Sequence, residues 1–210
     1  YSEDGGVSGT KIYHEGHLLR EGIMGEDGLE QGKWKEYFDS GSLRAEGEYR
    51  NGKREGIWKF YYETGALEQQ GAYLGGMPEG EWKWYFSSGR LLREETYRSG
   101  KEEGYMREYN DSGRVVTEGA YTEGEKQGPW KYSSVESRAE GGFVDGKEDG
   151  SWKQYGRDSA LSFEGHFVNG AEDGVHRYYF PEGKPREERT YRLGMEDGVR
   201  KIFSRDGTLF

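Results

Sequence analysis

The polar and apolar positions of the chain repeat with a period of about 24 residues. The unit reads G-x-W-K-x-Y-F-x-x-G-x-L-x-x-E-G-x-Y-x-x-G-K-x-x, and GIWKFYYETGALEQQGAYLGGMPE, residues 56–79, is a clear copy. We number the positions of the unit from its first glycine. Copies begin near residues 9, 32, 56, 80, 104, 128, 150, 174 and 198, the first and last being degenerate or partial. This spacing predicts a single tandem array over residues 1–210.

Each copy predicts a β-hairpin. W-K-x-Y-F is rich in strand formers, and L-x-x-E-G-x-Y provides the returning strand. The segment between them, such as Asp39-Ser40-Gly41, places a glycine where a hairpin loop needs positive φ. A second glycine turn, such as Asn51-Gly52-Lys53, leads into the next copy. The predicted fold is therefore all-β: an elongated single-layer antiparallel sheet of about eight to nine consecutive β-hairpin repeats.

The pattern also predicts a strand register. A loop over positions 8 to 11 pairs position 7 with 12, position 4 with 15 and position 3 with 16. Position 4 is Lys or Arg in every copy from Gly32 onward, and position 15 is Glu in every copy that reaches it except for Gln70. We expect a cross-strand ion pair in nearly every hairpin, including Lys83 with Glu94. The same register sets the position-3 Trp against the position-16 Gly, so that the indole can lie over bare backbone.

Two sheet faces follow from this register. One face carries positions 3, 7, 12 and 18, and its aromatic residues are expected to fold the array. We call them the aromatic stripe: Trp34, Trp58, Trp82, Trp130, Trp152, Tyr49, Tyr73, Tyr97 and Tyr121. The other face carries the position-4 and position-15 charges with the position-6 Tyr, and we call it the ladder face. Position 5 varies between copies, so its aromatic residues are the candidates for partner binding: Trp84, Phe60, Tyr132 and Tyr178.

Composition decides whether such a chain folds. The 210 residues carry a net charge of −10 and only 31% hydrophobic residues, which is typical of disorder. Six Trp, 17 Tyr and nine Phe oppose that interpretation, because each buries roughly 150–250 Å². The 36 glycines recur at turn positions and not in a flexible tail. We therefore expect a folded protein with an aromatic core.

Charge and residue usage also exclude several functions. Without cysteine the chain has no disulfides or thiolate metal sites, and no apolar run approaches the ~20 residues of a membrane-spanning helix. The acidic charge disfavours nucleic acid and anionic membrane surfaces as partners. The chain begins at Tyr1, so a signal peptide that has been removed is compatible with the sequence.

No pattern predicts catalysis, and we expect no catalytic, cofactor-binding or metal site. His14-x-x-His17 lies in the degenerate first copy and is interpreted as a surface pair. Residues 47–54 imitate a phosphate-binding loop, but Arg54 stands at the Ser/Thr position and no helix follows. Residues 145–150 lack the alternating acidic spacing of a calcium loop.

The repeated G-x-W-x-x-Y-[YF]-x-x-G-x-[LV]-x-x-E-G-x-Y-x-x-G-K motif resembles the MORN-repeat-variant family, which includes bacterial YwqK-type antitoxin-like proteins. The resemblance covers residues 9–210. It implies an antiparallel sheet of consecutive hairpins, a bacterial source, and a scaffold or protein-binding role such as neutralising a toxin. The compartment is not determined, although the cell envelope or secretion is favoured over the cytoplasm.

Other functions stay open at the level of sequence. Aromatic-glycine repeats also build choline- and glucan-binding arrays, so a carbohydrate or cell-wall binding module is one alternative. A structural component of an envelope assembly is another. The Lys or Arg that follows the position-3 Trp favours a structural Trp over a ligand cage. Residues 128–160 depart from the repeat, either by ordinary drift or as a kink or partner-specific surface.

Overall fold

The structure, a computed structural model, describes residues 9–210, which contain β-strands and no helix. The chain forms two compact units. The first comprises the chain as far as Gly104 together with Tyr109–Arg114, and the second comprises Tyr105–Glu108 and Val115–Phe210. Residues 1–8 of the predicted array lie outside the described residues, and the extent of a single array stays a prediction.

The strands follow one another along the chain. The first unit contains β1 (Gly9–His14), β2 (His17–Met24), β3 (Glu30–Tyr37), β4 (Leu43–Arg50), β5 (Lys53–Tyr61), β6 (Leu67–Leu74), β7 (Met77–Tyr85), β8 (Leu91–Arg98) and β9 (Lys101–Glu102). β10 (Gly104–Tyr109) has its ends in the first unit and its middle in the second. The second unit contains β11 (Val115–Thr122), β12 (Glu125–Ser133), β13 (Ser137–Val144), β14 (Lys147–Gly156), β15 (Leu161–Val168), β16 (Ala171–Tyr179), β17 (Pro185–Arg192), β18 (Met195–Glu196) and β19 (Lys201–Ile202).

Within each unit, consecutive strands pair antiparallel, except that β19 pairs with β17 and not with β18. These pairings run from β1 to β9 in the first unit and from β11 to β18 in the second, where β17 also pairs with β19. The all-β prediction of consecutive hairpins is confirmed. No helix that is long and apolar enough to cross a bilayer occurs in residues 9–210.

The register within a hairpin is as predicted at its centre and different at its loop. In the β3–β4 hairpin Lys35 is opposite Glu46 and Trp34 is opposite Gly47, but Tyr37 is opposite Leu43. Arg44 is the extra residue of a β-bulge, which shifts the pairing by one. The prediction that position 7 pairs with position 12 is therefore wrong. The position-12 Leu lies on the ladder face with the position-6 Tyr, and the stripe face carries position 5 instead.

A larger bulge separates consecutive copies. Glu46 is opposite Lys59 and Glu48 is opposite Glu55, so Gly47 faces the three residues 56–58. Gly56 within this bulge has φ of 66°, a left-handed conformation that favours glycine. The glycine that begins each of the other copies from residue 32 onward also has positive φ: Gly32, Gly80, Gly104, Gly128, Gly150, Gly174 and Gly198. The glycine that marks the start of each repeat is therefore a requirement of the bulge.

Candidate binding surfaces

The position-3 tryptophans form the core of both units. Each side chain is at most 5% exposed: Trp34, Trp58, Trp82, Trp130 and Trp152. An indole in a single sheet reaches such burial only if its own chain covers both of its ring faces. These residues therefore belong to the packing of the array, and the structure shows what covers each face.

The first ring face lies against glycine backbone of the preceding hairpin. A Cβ built on Gly47 would lie 2.3 Å from Trp58 Cδ2, and the Trp58 Nε1 donates a hydrogen bond of 2.9 Å to the Glu48 carbonyl oxygen. The sequence prediction of an indole over a position-16 glycine is right in kind. The glycine, however, is that of the preceding copy and not Gly71, its partner in the same hairpin. The other pairs are Gly22 with Trp34, Gly71 with Trp82, Gly119 with Trp130, and Gly141 with Trp152.

This contact explains a correlation that sequence reasoning missed. Where position 3 holds no aromatic ring, position 16 of the preceding copy holds no glycine: Glu95 precedes Met106, and Arg189 precedes Arg200. Gly165 precedes His176, whose ring nitrogen lies 2.8 Å from the His166 carbonyl oxygen. Position 16 of one copy and position 3 of the next therefore form one structural unit. Comparing each glycine with the following copy would have revealed it.

In three copies the second ring face is covered by a cation from the chain itself. The Arg54 guanidinium lies 4.4 Å from the Trp58 ring, 5.1 Å from Phe60 and 5.5 Å from Tyr73. Such cation–π contacts are worth about 0.5–2 kcal/mol, and the stacked alkyl stem adds apolar contact. Arg20 covers Trp34 at 4.8 Å, and Lys126 covers Trp130 at 4.4 Å. At these copies the position a ligand cation would take is already filled.

The tyrosines of the aromatic stripe contact the indole rings from the side. Tyr49 meets Trp58 edge-on, with ring centroids 5.0 Å apart and planes at 87°. Tyr73 makes the same contact with Trp82 at 5.1 Å. Edge-to-face pairs of this kind contribute about 0.5–1.5 kcal/mol beyond their buried area. The remaining stripe contacts are Tyr121 with Trp130 at 5.1 Å and Tyr97 with Trp82 at 6.1 Å.

The four position-5 candidates lie on the stripe face and are half-buried. Phe60 stands between Trp58 and Trp82, with ring centroids at 5.9 and 6.4 Å. Trp84 lies 5.9 Å from Trp82. In the second unit, Tyr132 stands 6.0 Å from Trp130 and 6.4 Å from Trp152, and Tyr178 lies 5.1 Å from Phe163. These rings extend the stripe laterally, and their role in partner binding stays a prediction.

On the ladder face, the position-15 carboxylates bond to tyrosines of the next copy. The Tyr61 hydroxyl donates to Glu46 at 2.7 Å, and the Tyr109 hydroxyl donates to Glu94 at 2.6 Å. The same bonds join Tyr37 to Glu21, Tyr155 to Glu140, and Tyr179 to Glu164. They connect neighbouring hairpins, whereas the predicted ion pairs would connect strands within a hairpin.

The predicted ion pair in nearly every hairpin is wrong. Lys83 pairs with Glu81 at 3.1 Å, although its Cα partner is Glu94. A lysine at an exposed ladder position gains little from a carboxylate that a tyrosine already engages, since surface pairs contribute about 0–1 kcal/mol. Ladder ion pairs do form at Lys11–Glu21, Arg107–Glu118, Lys131–Glu118, Arg177–Glu164, Arg177–Glu188 and Lys201–Glu188.

Two of these carboxylates have two cations each because their tyrosine is missing. Position 6 of the following copy is Ser133 for Glu118 and Phe203 for Glu188. Hydrogen bonds from Lys131 and Arg107 hold the pKa of Glu118 below its ordinary value. Glu188 has its pKa lowered in the same way by Arg177 and Lys201. Two cations thus take the place of the tyrosine where position 6 lacks one, whereas Glu21 and Glu164 have a tyrosine and one cation each.

The tyrosine–carboxylate bonds predict a loss of stability at alkaline pH. Burial, together with the bond to Glu46, raises the pKa of Tyr61 to about 12 from its ordinary value of 10.0. Because the pKa is higher in the folded state, this contribution is complete below pH 10 and is lost between pH 10 and about 12. We expect the free energy of unfolding to fall over that interval, measured by urea denaturation, and less steeply in Tyr61→Phe. Tyr13→Phe, at a ring 57% exposed, is the control. An unchanged slope in Tyr61→Phe would contradict the assignment.

A groove lies on the ladder face of the first unit. Its volume is about 710 Å³, and it spans β1 to β5 over the bare backbone of Gly22 and Gly47. Ile57 lines it and is 61% exposed. Three ammonium groups of its lining have no carboxylate within 4.0 Å among the described residues: Lys33, Lys35 and Lys59.

A second groove occupies the same repeat positions in the second unit. It has a volume of about 570 Å³ and lies over Gly141 and Gly142, with Lys131, Lys153 and Val144 in its lining. Val144 is 43% exposed. Both grooves therefore lie at the same place in the repeat, between the position-4 lysines of consecutive copies. In the described part of the chain, no group of three His, Asp or Glu residues is placed to hold a metal ion.

A comparison with protein families agrees with the hairpin repeat. Four segments match the family model of the MORN repeat variant: residues 30–51, 54–74, 78–99 and 172–192. They correspond to the β3–β4, β5–β6, β7–β8 and β16–β17 hairpins. No curated protein matches the chain. The crystal structure of TcdB2-TccC3-Cdc42 aligns with 96% of this chain at 12% identity and a TM-score of 0.22, and the alignment covers 13% of the chain in that structure.

Proposed function

We propose that this protein is a non-enzymatic, protein-binding repeat protein of the antitoxin-like type, which neutralises a bacterial toxin by holding it on the ladder face. The observation that carries the proposal is the groove of the first unit, where Lys33, Lys35 and Lys59, which have no carboxylate within 4.0 Å among residues 9–210, surround exposed Ile57 and bare glycine backbone. Binding surfaces between proteins combine an apolar centre with a polar rim in this way.

The geometry favours the ladder face over the aromatic face. Each position-3 indole is already packed between glycine backbone and its own chain, so a partner would have to displace native contacts to reach it. The groove on the ladder face, in contrast, presents backbone and three ammonium groups that have no carboxylate within 4.0 Å in the described part of the chain. A partner with acidic loops and one aliphatic anchor fits this surface, and its charge would steer association despite the net charge of −10.

A carbohydrate or cell-wall binding module has less support. Sugar recognition needs aromatic faces open to solvent, and the position-3 indoles are at most 5% exposed. The half-buried position-5 rings offer edges beside those indoles. A structural role in an envelope assembly would use the same protein-binding surfaces, and the identity of the bound partner separates the two.

Affinity capture from the native source, followed by mass spectrometry, tests the proposal. We expect one toxin-like protein in stoichiometric amount with the wild-type chain. Lys35→Glu/Lys59→Glu should reduce its recovery about tenfold, because it reverses two charges in the groove. Arg44→Glu/Lys53→Glu makes the same charge change outside the groove lining and should leave recovery unchanged.

Three results would contradict the proposal. Recovery of structural envelope proteins would overturn the antitoxin role, and failure to recover any protein after chemical cross-linking would overturn protein binding. Specific retention on peptidoglycan or glucan, unchanged by the groove variant, would favour the carbohydrate alternative.

A further inference from the structure

The hairpin loops contain a position at which most copies place a large or loop-bonded side chain. Position 7 is aromatic in Phe38, Tyr62, Phe86 and Phe180. In other copies a polar side chain bonds its own loop. Asn110 Oδ1, for example, accepts hydrogen bonds from the backbone N–H groups of Ser112 and Arg114. Only the copy from Gly150 has no side chain at this position, because the residue is Gly156.

The backbone at Gly156 is the same as at the aromatic copies. Gly156 N donates to the Ala160 carbonyl oxygen at 2.9 Å, and Phe180 N donates to the Lys184 carbonyl oxygen at 2.8 Å. The closing bond of the loop, from Ser159 N to the Gly156 oxygen, is 2.9 Å and matches that from Gly183 N to the Phe180 oxygen. The loop is therefore regular, and what differs is the missing ring.

A cavity of about 510 Å³ occupies this place in the second unit. Its apolar walls are Leu161 of β15 with Tyr179, Phe180 and Pro181. We call this cavity the notch. The equivalent Tyr62 extends to the next copy, where its hydroxyl donates a hydrogen bond of 2.7 Å to the Tyr85 carbonyl oxygen. Tyr179 is the counterpart of Tyr85 and lines the notch, so the notch lies where an aromatic ring at position 156 would extend.

The rim of the notch is positively charged. Arg157 and Arg186 both line it and are exposed. Arg157 lies 3.9 Å from Glu136, but both side chains are more than 70% exposed, which makes this ion pair weak. The Asp158 carboxylate already accepts a hydrogen bond from Ala160 N within the loop. Two guanidinium groups therefore face solvent beside an apolar depression, in a protein that is otherwise acidic.

We propose that the notch binds an aromatic side chain of a partner protein segment that carries a carboxylate next to the ring. An aromatic ring is proposed because four copies have Phe or Tyr at the equivalent position. A neighbouring carboxylate is proposed because arginines at the rim would bind it. Aromatic anchors in pockets with Arg at the rim are the residues that dominate binding energy at protein interfaces. The inference rests on the proposed function only in taking the partner to be a protein.

The site can be closed by one substitution that the fold accepts. Gly156 does not have positive φ, and a Cβ added there would meet Asp158 Oδ1 at 3.3 Å and the Ala160 oxygen at 4.0 Å. The nearer atom belongs to an exposed side chain that can move. Gly156→Phe therefore restores the repeat consensus and fills the notch. Asn110→Phe adds the same ring to the equivalent position of another hairpin and is the matched control.

The test is a titration of the full ¹⁵N-labelled chain with acetyl-Glu-Phe-Glu-amide, followed by NMR. We expect saturable shifts of the Arg157, Asp158 and Ser159 amides, and no such response to acetyl-Glu-Ala-Glu-amide. Gly156→Phe should weaken the apparent affinity at least about tenfold without lowering Tm, and Asn110→Phe should leave the affinity unchanged. Arg186→Glu should weaken binding while leaving the notch open.

Equal responses to the two peptides, or undiminished binding by folded Gly156→Phe, would overturn the inference. Its failure is distinguishable from failure of the proposed function. If wild type and Gly156→Phe captured a toxin-like partner equally and the peptide gave no response, the notch would be rejected as a binding site and the proposed function would be retained. A saturable peptide response without any captured protein would support the notch as a binding site and reject the proposed function.

Discussion

Trp58→Ala is expected to lower the free energy of unfolding of the protein by about 3–5 kcal/mol, which is the usual cost of removing a large aromatic side chain from a core. Trp58 is fully buried, and its ring contacts Tyr49, Phe60 and Arg54 as well as the backbone of Gly47. The substitution leaves a cavity, an unpaired Glu48 carbonyl oxygen and a guanidinium without its ring. Urea denaturation followed by circular dichroism measures the loss.

The control for this prediction is Trp84→Ala. Trp84 is half-buried and lies at the side of the stripe, so its replacement should cost about half as much or less, because less area is lost from the core. Hydrogen exchange should show increased opening of the β3–β4 and β5–β6 hairpins in Trp58→Ala, since each hairpin of a repeat array is stabilised mainly by its neighbours. A cost below that of Trp84→Ala would contradict the assignment of Trp58 to the core.

Gly71→Ala is expected to destabilise the protein by about 3 kcal/mol, at the upper end of the penalties for overpacking. The added Cβ would lie 2.1 Å from Trp82 Cδ2 and 2.2 Å from Cε2, distances that the rigid indole cannot accommodate without leaving its place. Moving the ring would also break the hydrogen bond from Trp82 Nε1 to the Ala72 carbonyl oxygen. The loss of stability is measured by the shift of the urea midpoint at an unchanged m-value.

Two variants separate the clash from a general effect of replacing glycine. Gly156→Ala, at a strand glycine whose added Cβ would meet only the exposed Asp158 side chain within 3.4 Å, should change the free energy of unfolding by no more than about 0.5 kcal/mol. In a Trp82→Ala background Gly71→Ala should cost little, because the atoms it meets have been removed. Strictly additive costs in the double variant would show that the indole does not lie on this glycine.

The hairpin and its central register were predictable because they depend on local pattern. Alternating residues set the strands, turn glycines set the loops, and the opposition of Lys35 to Glu46 follows from the loop length. The loop bulge at Arg44 was not predictable, since no residue type marks it, and it moved Leu43 to the other face. The prediction of ion pairs was wrong for another reason. The pattern shows which Cα atoms lie opposite each other, but it does not show that the carboxylate accepts a hydrogen bond from a tyrosine of the next copy.

Some of the candidate surfaces could be predicted from the sequence, and others could not. The variable position 5 was visible from the sequence, and the structure places Phe60 and Trp84 on the stripe face, half-buried beside Trp82. The ladder-face groove and the notch were not visible as sites. The groove needs glycine backbone from β2 and β4 together with lysines from β3 and β5, and the notch is defined by a side chain that is missing. The departure from the repeat at Gly156 was the one signal of it in the sequence.

The sequence by itself determined that this protein is an array of antiparallel hairpins with an aromatic core, because period, turn chemistry and strand propensity are properties of neighbouring residues. Only the tertiary structure decided which copy each contact belongs to. The bulge at Gly56 turns the strand so that Trp58 packs on Gly47 of the preceding hairpin, and Tyr61 reaches Glu46 across the same boundary. In a strictly periodic sequence every copy offers the same partners, so the choice between a residue's own hairpin and the one before depends on the three-dimensional path of the strand.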